Sequence, residues 1–206
     1  MKRMNPEVRR QRIVEAAQAV ATRKGLSATT VRDVAKEMGT SSGLIHHYFA
    51  SMDQLLAVVF GRVAKADLSA TREQMDRAGT PTGRLAAYFA AWADPDNDST
   101  FQFWLDAWSE AGRNEAVRER SRDLNIEWQD LLSEVIRQGM ETGEFKDVEV
   151  EATAWKALSI LDGLTLQVVA HPTLIERGKA AEWAASGIET DLGLPHGALT
   201  DATVPT

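Results

Sequence analysis

The stretch TVRDVAKEMGTSSGLIHHYFASMDQLL, residues 30–56, decides how this chain folds. Apolar residues recur at helical spacing before Gly39, which ends the run where a left-handed backbone is needed. Hydroxyl residues at 40–42 can cap a following helix, in which Ile45 and Phe49 share one face. The pattern predicts two short helices around a tight turn, followed at once by a further helix.

The second of these helices would present imidazole side chains on the face opposite Ile45. A helix that is seated on its predecessor by an apolar face and is polar outside is typical of a DNA-reading helix-turn-helix. His46 and His47 point about 100° apart around a helix and have no third ligand nearby, so we expect neither a metal site nor a cofactor.

Residues 35–49 resemble the signature of the TetR family of one-component bacterial transcriptional repressors, and SGLIHHYF at 42–49 is similar to its BetI-like branch. The resemblance implies an all-α fold with two domains. An N-terminal three-helix DNA-binding domain would span 1–52, and a helical bundle for ligand binding and dimerisation would span 53–193. The small, polar segment 194–206 is expected to be a disordered tail.

The resemblance, together with residue chemistry, predicts a set of DNA contacts. Gly43 lets the backbone approach the bases, and Leu44 can touch a thymine methyl group. The candidate DNA-binding residues are Arg9, Thr30, Arg32, Ser41, Ser42, Gly43, Leu44, His46, His47 and Tyr48. For the arginines an ordinary solvated basic face remains open. His46 stands where many relatives have Tyr, and Met52 where most have a phosphate-binding Lys, so the operator sequence cannot be carried over by analogy.

Composition agrees with a DNA-binding head on an acidic body. The 206 residues carry a net charge of −7, but residues 1–55 hold nine basic against five acidic side chains, leaving 14 against 25 in the remainder. The chain has no cysteine, no signal peptide and no apolar run near the roughly 20 residues of a membrane span. We therefore expect a cytoplasmic protein.

Caps and breaks predict the remaining helices. The first should begin after Asn5 and end at Gly25, and the fourth should run from Ser51 to about residue 75. The later helices are predicted at about 81–93, 98–112, 114–141, 148–171 and 174–191.

Aromatic residues of the second domain suggest a ligand pocket, although an aromatic stripe at helical spacing can equally be plain core. The candidate ligand-binding residues are Phe89, Trp92, Phe101, Trp104, Trp108, Trp128 and Asp162. The BetI-like head hints at a quaternary amine, for which tryptophan faces and a carboxylate from Asp106, Asp162 or Glu110 would be suitable.

The predicted helix 148–171 is apolar on more than one face, and the last predicted helix adds an apolar stripe. Together they favour a four-helix interface in a homodimer over a purely intramolecular bundle. The candidate dimerisation residues are Trp155, Leu158, Leu166, Val169, Trp183 and Ile188.

These observations favour a repressor that binds double-stranded operator DNA and is released by an unknown small-molecule inducer. A DNA-binding regulator without a ligand is the alternative. A helical-bundle enzyme is disfavoured, because the sequence shows no nucleophile–base pair, no zinc motif and no phosphate-binding loop.

Overall fold

The computed structural model describes residues 5–200, apart from the side chain at position 95. Within that range the chain forms nine α-helices, one short 3-10 helix (Pro95–Asn97) and no strand, which confirms the all-α prediction. The helices are α1 (Pro6–Lys24), α2 (Val31–Glu37), α3 (Ser42–Tyr48), α4 (Met52–Asp76), α5 (Pro81–Ala93), α6 (Asp98–Ala111), α7 (Glu115–Thr142), α8 (Val150–Ala170) and α9 (Arg177–Leu192).

Local capping explains where the first helices begin and end. The side chain of Asn5 accepts a hydrogen bond from the N–H of Glu7, and α1 ends at Gly25, which has a φ of 84°. Thr30 and Asp33 form the expected reciprocal capping box at the start of α2. Ser41 occupies the cap position of α3 but makes no side-chain cap bond, so its hydroxyl is not used there.

The chain falls into two compact units. The first contains residues 1–65 and 102–124, and the second contains residues 66–101 and 125–206. The predicted boundary at residues 52 and 53 therefore does not coincide with the division into compact units, because part of α6 and α7 clusters with the N-terminal helices.

In the first unit, α2 packs on both α1 and α3. Ile45 of α3 and Phe49, which directly follows α3, are buried, as is Val34 of α2, in agreement with the sequence. Burial of one such apolar side chain contributes about 1.5–3 kcal/mol, so this face fixes how α3 is presented.

In the second unit, α9 packs on both α5 and α8. The segment after α9 is also packed: the buried carboxylate of Glu189 accepts hydrogen bonds from the N–H groups of Gly197 (3.0 Å) and Leu199 (2.9 Å), and Leu199 is buried. Residues 194–200 therefore differ from the disordered tail predicted for 194–206, because two backbone donors satisfy a buried acid. Residues 201–206 lie outside the described range.

Gly139 of α7 lies so close to Phe145 that a larger residue at this position should destabilise the fold. A Cβ at Gly139 would overlap the ring of Phe145, which is buried. Gly139→Ala should therefore lower the free energy of unfolding by about 1–3 kcal/mol, the usual cost of overpacking. Urea denaturation measures the change.

Gly187→Ala is the matched control, because Gly187 also lies inside a helix and its added methyl would meet only Ile160, at an ordinary 3.7 Å. This variant should gain up to about 1 kcal/mol from helix propensity. Equal stabilisation by both alanines would contradict the packing at Gly139.

Candidate functional site

The outward face of α3 carries the side chains predicted to meet DNA. Gly43, His46 and His47 are exposed, and Ser42 and Leu44 are half-buried. His47 lies edge-on to Tyr48, with ring centroids 5.2 Å apart. Because Ile45 and Phe49 hold the opposite face in the core, this surface is rigidly presented to solvent.

Three carboxylates of the first unit form ion pairs with basic side chains that do not belong to α3. Arg23 lies 2.5 Å from Glu37 and Lys24 lies 2.6 Å from Asp33. A third pair, Arg62 with Glu15, has a separation of 3.6 Å. Such exposed pairs add little stability, but they reduce the negative charge that would oppose a phosphate backbone.

Five basic side chains of α1 and α2 are not paired with an acid. Within residues 5–200 none of them has an acidic partner; they are Arg9, Arg10, Arg12, Arg32 and Lys36. The guanidinium of Arg10 lies 4.6 Å from the ring centroid of Phe49 and so holds the end of α3 against α1.

The hydroxyl group of Thr30, which was predicted to contact a phosphate, already forms hydrogen bonds within the protein. Its hydroxyl donates to Asp33 (2.7 Å) and accepts from the N–H of Asp33 (3.2 Å). Hydrogen bonds from Lys24, then Thr30, lower the pKa of Asp33 to about 2, so this cap stays ionised at neutral pH. A phosphate contact from the hydroxyl hydrogen of Thr30 would require breaking its bond to Asp33.

The aromatic candidates for ligand binding divide between the two units. In the first unit Trp104 lies edge-on to Phe60, with centroids 5.0 Å apart, and 5.6 Å from Trp108. In the second unit Trp92 lies 5.9 Å from Phe101. The predicted stripe along α6 is therefore not one continuous wall within either unit.

The second unit contains a further group of aromatic side chains. Tyr88 lies 5.4 Å from Phe89 and 6.1 Å from Trp128, measured between ring centroids, and all three are buried.

One carboxylate of the second unit combines partial burial with the lack of a partner. Asp162 of α8 makes no hydrogen bond or ion pair within the described residues. Burial raises its pKa to about 7. Burial, followed by the charges of Asp162 and Asp67, also raises the pKa of the Tyr88 hydroxyl, which indicates that Asp162 lies near that phenol.

A buried hydrogen bond joins α5, which carries Tyr88, to α8, which carries Asp162. Trp92, one turn after Tyr88 on α5, donates its indole N–H to the hydroxyl of Thr165 at 2.8 Å. Thr165 follows Asp162 by one turn of α8. The aromatic face of α5 therefore lies against the part of α8 that carries Asp162, an arrangement suited to a cation.

The other two acids considered for a cationic ligand are already engaged in the first unit. Asp106 accepts from the N–H of Leu26 (3.4 Å) and from Gln102 (3.1 Å), and Glu110 lies 2.8 Å from Arg113. Only Asp162 remains without a partner among the three.

The candidate dimerisation residues differ in exposure. Trp155, Leu166 and Trp183 of α8 and α9 are 42%, 48% and 52% exposed, which is unusual for large apolar side chains. Leu158 and Ile188 are buried inside the subunit, so they belong to the core rather than to an outward face. Val169 is half-buried.

Three residues of the second unit were not singled out by the sequence: Tyr88, Thr165 and Arg177. Each acts through a partner that is distant along the chain, and no local pattern marks them. A tyrosine one turn before a tryptophan was the only signal that could have found one of them.

Over residues 5–200, no group of three or more His, Cys, Asp or Glu side chains is arranged to hold a metal ion. None of the helices in that range combines the length and apolar character needed to cross a membrane.

Comparison with known proteins now identifies the family. A family described as "BetI-type transcriptional repressor, C-terminal" matches residues 81–193, more than half of the chain, and "Bacterial regulatory proteins, tetR family" matches residues 13–59. The chain belongs to the TetR family. It is a DNA-binding transcription regulator with a BetI-type C-terminal domain, and not an enzyme.

Individual relatives agree with this assignment. BetI of Paraburkholderia phymatum is 34% identical over 116 residues, which are 54% of this chain and 59% of that protein. The HTH-type regulator YfiR of Bacillus subtilis is 28% identical over 167 residues, 76% of this chain and 78% of that protein. The matched part thus spans about three fifths of the length of the BetI relative.

Solved structures show the same TetR fold. A candidate transcriptional regulator from Pseudomonas aeruginosa PAO1 has a TM-score of 0.77 at 28% identity, over 91% of this chain and 92% of that one. Another, from Saccharomonospora viridis and solved in complex with choline, has a TM-score of 0.78 at 24% identity, over 89% and 96%. At 24% identity the second likeness establishes the fold only.

Proposed function

We propose that this TetR-family regulator is a homodimeric repressor that a small organic cation releases from its operator. Gly43, His46 and His47 would contact the edges of the DNA bases. Arg9 and Arg32, which have no acidic partner, would contact phosphates or DNA bases. Direct readout needs exposed polar groups of this kind in the major groove, while phosphate contacts set the register.

The exposed apolar surface of α8 and α9 supports the proposed dimer. Trp155, Leu166 and Trp183 would lose contact with water in a symmetric four-helix interface. A two-fold pair presents two copies of α3, which suits a palindromic operator with half-sites about 34–36 Å, or a multiple, apart. Action on an operator also implies a cytoplasmic location, which is part of this proposal.

The unpaired carboxylate of Asp162 carries the ligand assignment. A half-buried carboxylate without a partner is costly, and it is stabilised by a cation that fits beside it. The neighbouring rings of Tyr88, Trp92 and Trp128 would add cation–π attraction, which is strong for quaternary ammonium groups. Choline, the ligand of the Saccharomonospora viridis structure, is therefore the first compound to test.

The response would pass through α4, whose residues belong to both compact units. A change in its tilt alters the spacing of the two α3 helices. A coupling free energy of about 1–3 kcal/mol, equivalent to 5- to 150-fold in operator affinity, is enough for a switch.

A gel-shift experiment tests the proposal. Duplexes selected from a random pool should contain an inverted repeat, and the complex should weaken steeply as salt rises, because phosphate contacts release counterions. Choline should then dissociate the complex at constant salt. A complex that persists with choline and tetramethylammonium would instead favour a regulator that works without such a ligand, and absence of duplex binding at low salt would contradict the whole proposal.

A further inference from the structure

Arg177, the first residue of α9, occupies an aromatic cage built by other helices of the second unit. Its guanidinium lies 5.6 Å from the ring centroid of Trp92 and 5.1 Å from that of Phe101. It donates to the carbonyl oxygen of Trp92 (3.3 Å) and forms an ion pair with Asp98. One side chain thus ties the start of α9 to the end of α5 and the start of α6.

This position is unfavourable for a cation in two respects. The N-terminus of a helix carries a partial positive charge, which repels a guanidinium in the first turn. The side chain is also only 12% exposed, and burial lowers its pKa, an effect that the charge of Asp94 opposes. The two rings and Asp98 must therefore supply the attraction that keeps the guanidinium in place.

Two aromatic rings around a cation form the kind of site that recognises alkylammonium groups. Trp92 belongs to this cage and also to the face around Asp162, because its indole N–H is bonded to Thr165. A cation bound beside Asp162 would draw on the same indole ring as Arg177. Two positive charges on one buried ring repel each other, and they share its limited negative electrostatic potential.

We propose that Arg177 is a built-in competitor of the inducer: its guanidinium and the bound cation compete for Trp92. Occupation of the ligand site then weakens the hold of Arg177 on α5 and α6 and frees the first turn of α9. This inference rests on the proposed function, since it concerns the cation site at Asp162. Arg177 would thus influence the affinity for the inducer without contacting it.

Calorimetric titration of the full chain with choline tests the competition. Arg177→Gln removes the charge and Arg177→Lys retains it, while both lose the forked guanidinium. The glutamine variant should bind choline about 3- to 30-fold more tightly than the unaltered protein, the range expected for losing a competing cation–π contact. The lysine variant should stay within about twofold of the unaltered protein, because its charge still competes.

The two variants separate the effect of charge from mere loosening of α9. Tighter choline binding by the glutamine variant, but not by the lysine variant, supports the competition. Choline binding by the glutamine variant when the unaltered protein shows none supports it as well. Unchanged or weaker binding by the glutamine variant overturns it, and so does equal tightening by both variants. If Asp162→Asn weakens choline binding by about 30-fold or more but Arg177→Gln has no effect, the proposed function stands and only this inference fails. If neither the unaltered protein nor either Arg177 variant binds choline, both fail.

Discussion

Asp162→Asn is expected to weaken choline binding by about 30-fold or more while operator affinity in the absence of ligand stays unchanged. The substitution keeps the shape of the side chain but removes the charge that faces a buried cation. Truncating one member of a buried charge pair costs about 2–5 kcal/mol, which corresponds to at least that factor. Calorimetry measures the first quantity and a gel shift the second.

The same carboxylate makes ligand binding dependent on pH. The pKa of Asp162 in the free protein is raised to about 7 by burial. Below pH 7 the carboxyl group is therefore neutral and must lose its proton to bind a cation, so affinity should fall by up to about tenfold per pH unit. Above pH 7 affinity should level off, and in Asp162→Asn this dependence should disappear.

Thermal unfolding provides the control for a misfolded variant. Because the folded-state pKa of Asp162 is raised, its ionisation destabilises the native state as pH rises from about 4 through 7. The asparagine variant should thus be at least as stable as the unaltered protein at pH 8. Full choline affinity in a folded asparagine variant would rule out Asp162 as the counter-charge.

Arg32→Ala is expected to reduce operator affinity by about 5- to 150-fold, the range of a lost arginine contact to guanine or of a strong phosphate contact. Arg32 is exposed on α2 and has no acidic partner within the described residues. Titration of the selected duplex at several salt concentrations separates the two roles. A phosphate contact lowers the salt dependence by about one ion, whereas a base contact relaxes specificity at one position.

Arg23→Ala is the matched control for the charge change. Arg23 lies on α1 and is paired with Glu37, so its loss leaves the α3 face unaltered. This variant should bind the duplex within about twofold of the unaltered protein, because an exposed ion pair contributes little. Equal losses in both variants would indicate a general electrostatic effect rather than a contact at Arg32.

The sequence predicts the helices well because their ends are decided locally. Asn5, the Thr30–Asp33 pair and Gly25 act within a few residues, and the observed bounds of α1 and α2 follow them. The cap of α3 shows the limit of this logic: three hydroxyl residues precede the helix, yet Ser41 forms no side-chain cap bond.

Which apolar stripe is covered cannot be predicted from one helix. Trp155 and Leu158 lie three apart on α8, and Trp183 and Ile188 lie on α9, all within apolar patterns. In the structure α8 packs on α9 and Leu158 and Ile188 are buried, whereas the two tryptophans remain exposed. That distinction depends on the neighbouring helix, which the pattern of a single helix does not contain.

The proposed ligand site could be predicted from the sequence only in part, for the same reason. Asp162 was one of three equivalent acids in the sequence, and only the packed structure shows which acid lacks a partner. The bond from Trp92 to Thr165 spans 73 residues of sequence, and the one from Arg177 to Trp92 spans 85. No periodicity relates residues so far apart.

The clasp between Glu189 and residues 197–199 has a practical consequence for protein engineering. A shortened gene product that stops at residue 193, where the match to the BetI-type domain ends, would strip the buried acid of both its backbone donors and uncover the site of Leu199. Reporter fusions and affinity tags are therefore better attached after residue 200 than at the apparent end of the domain.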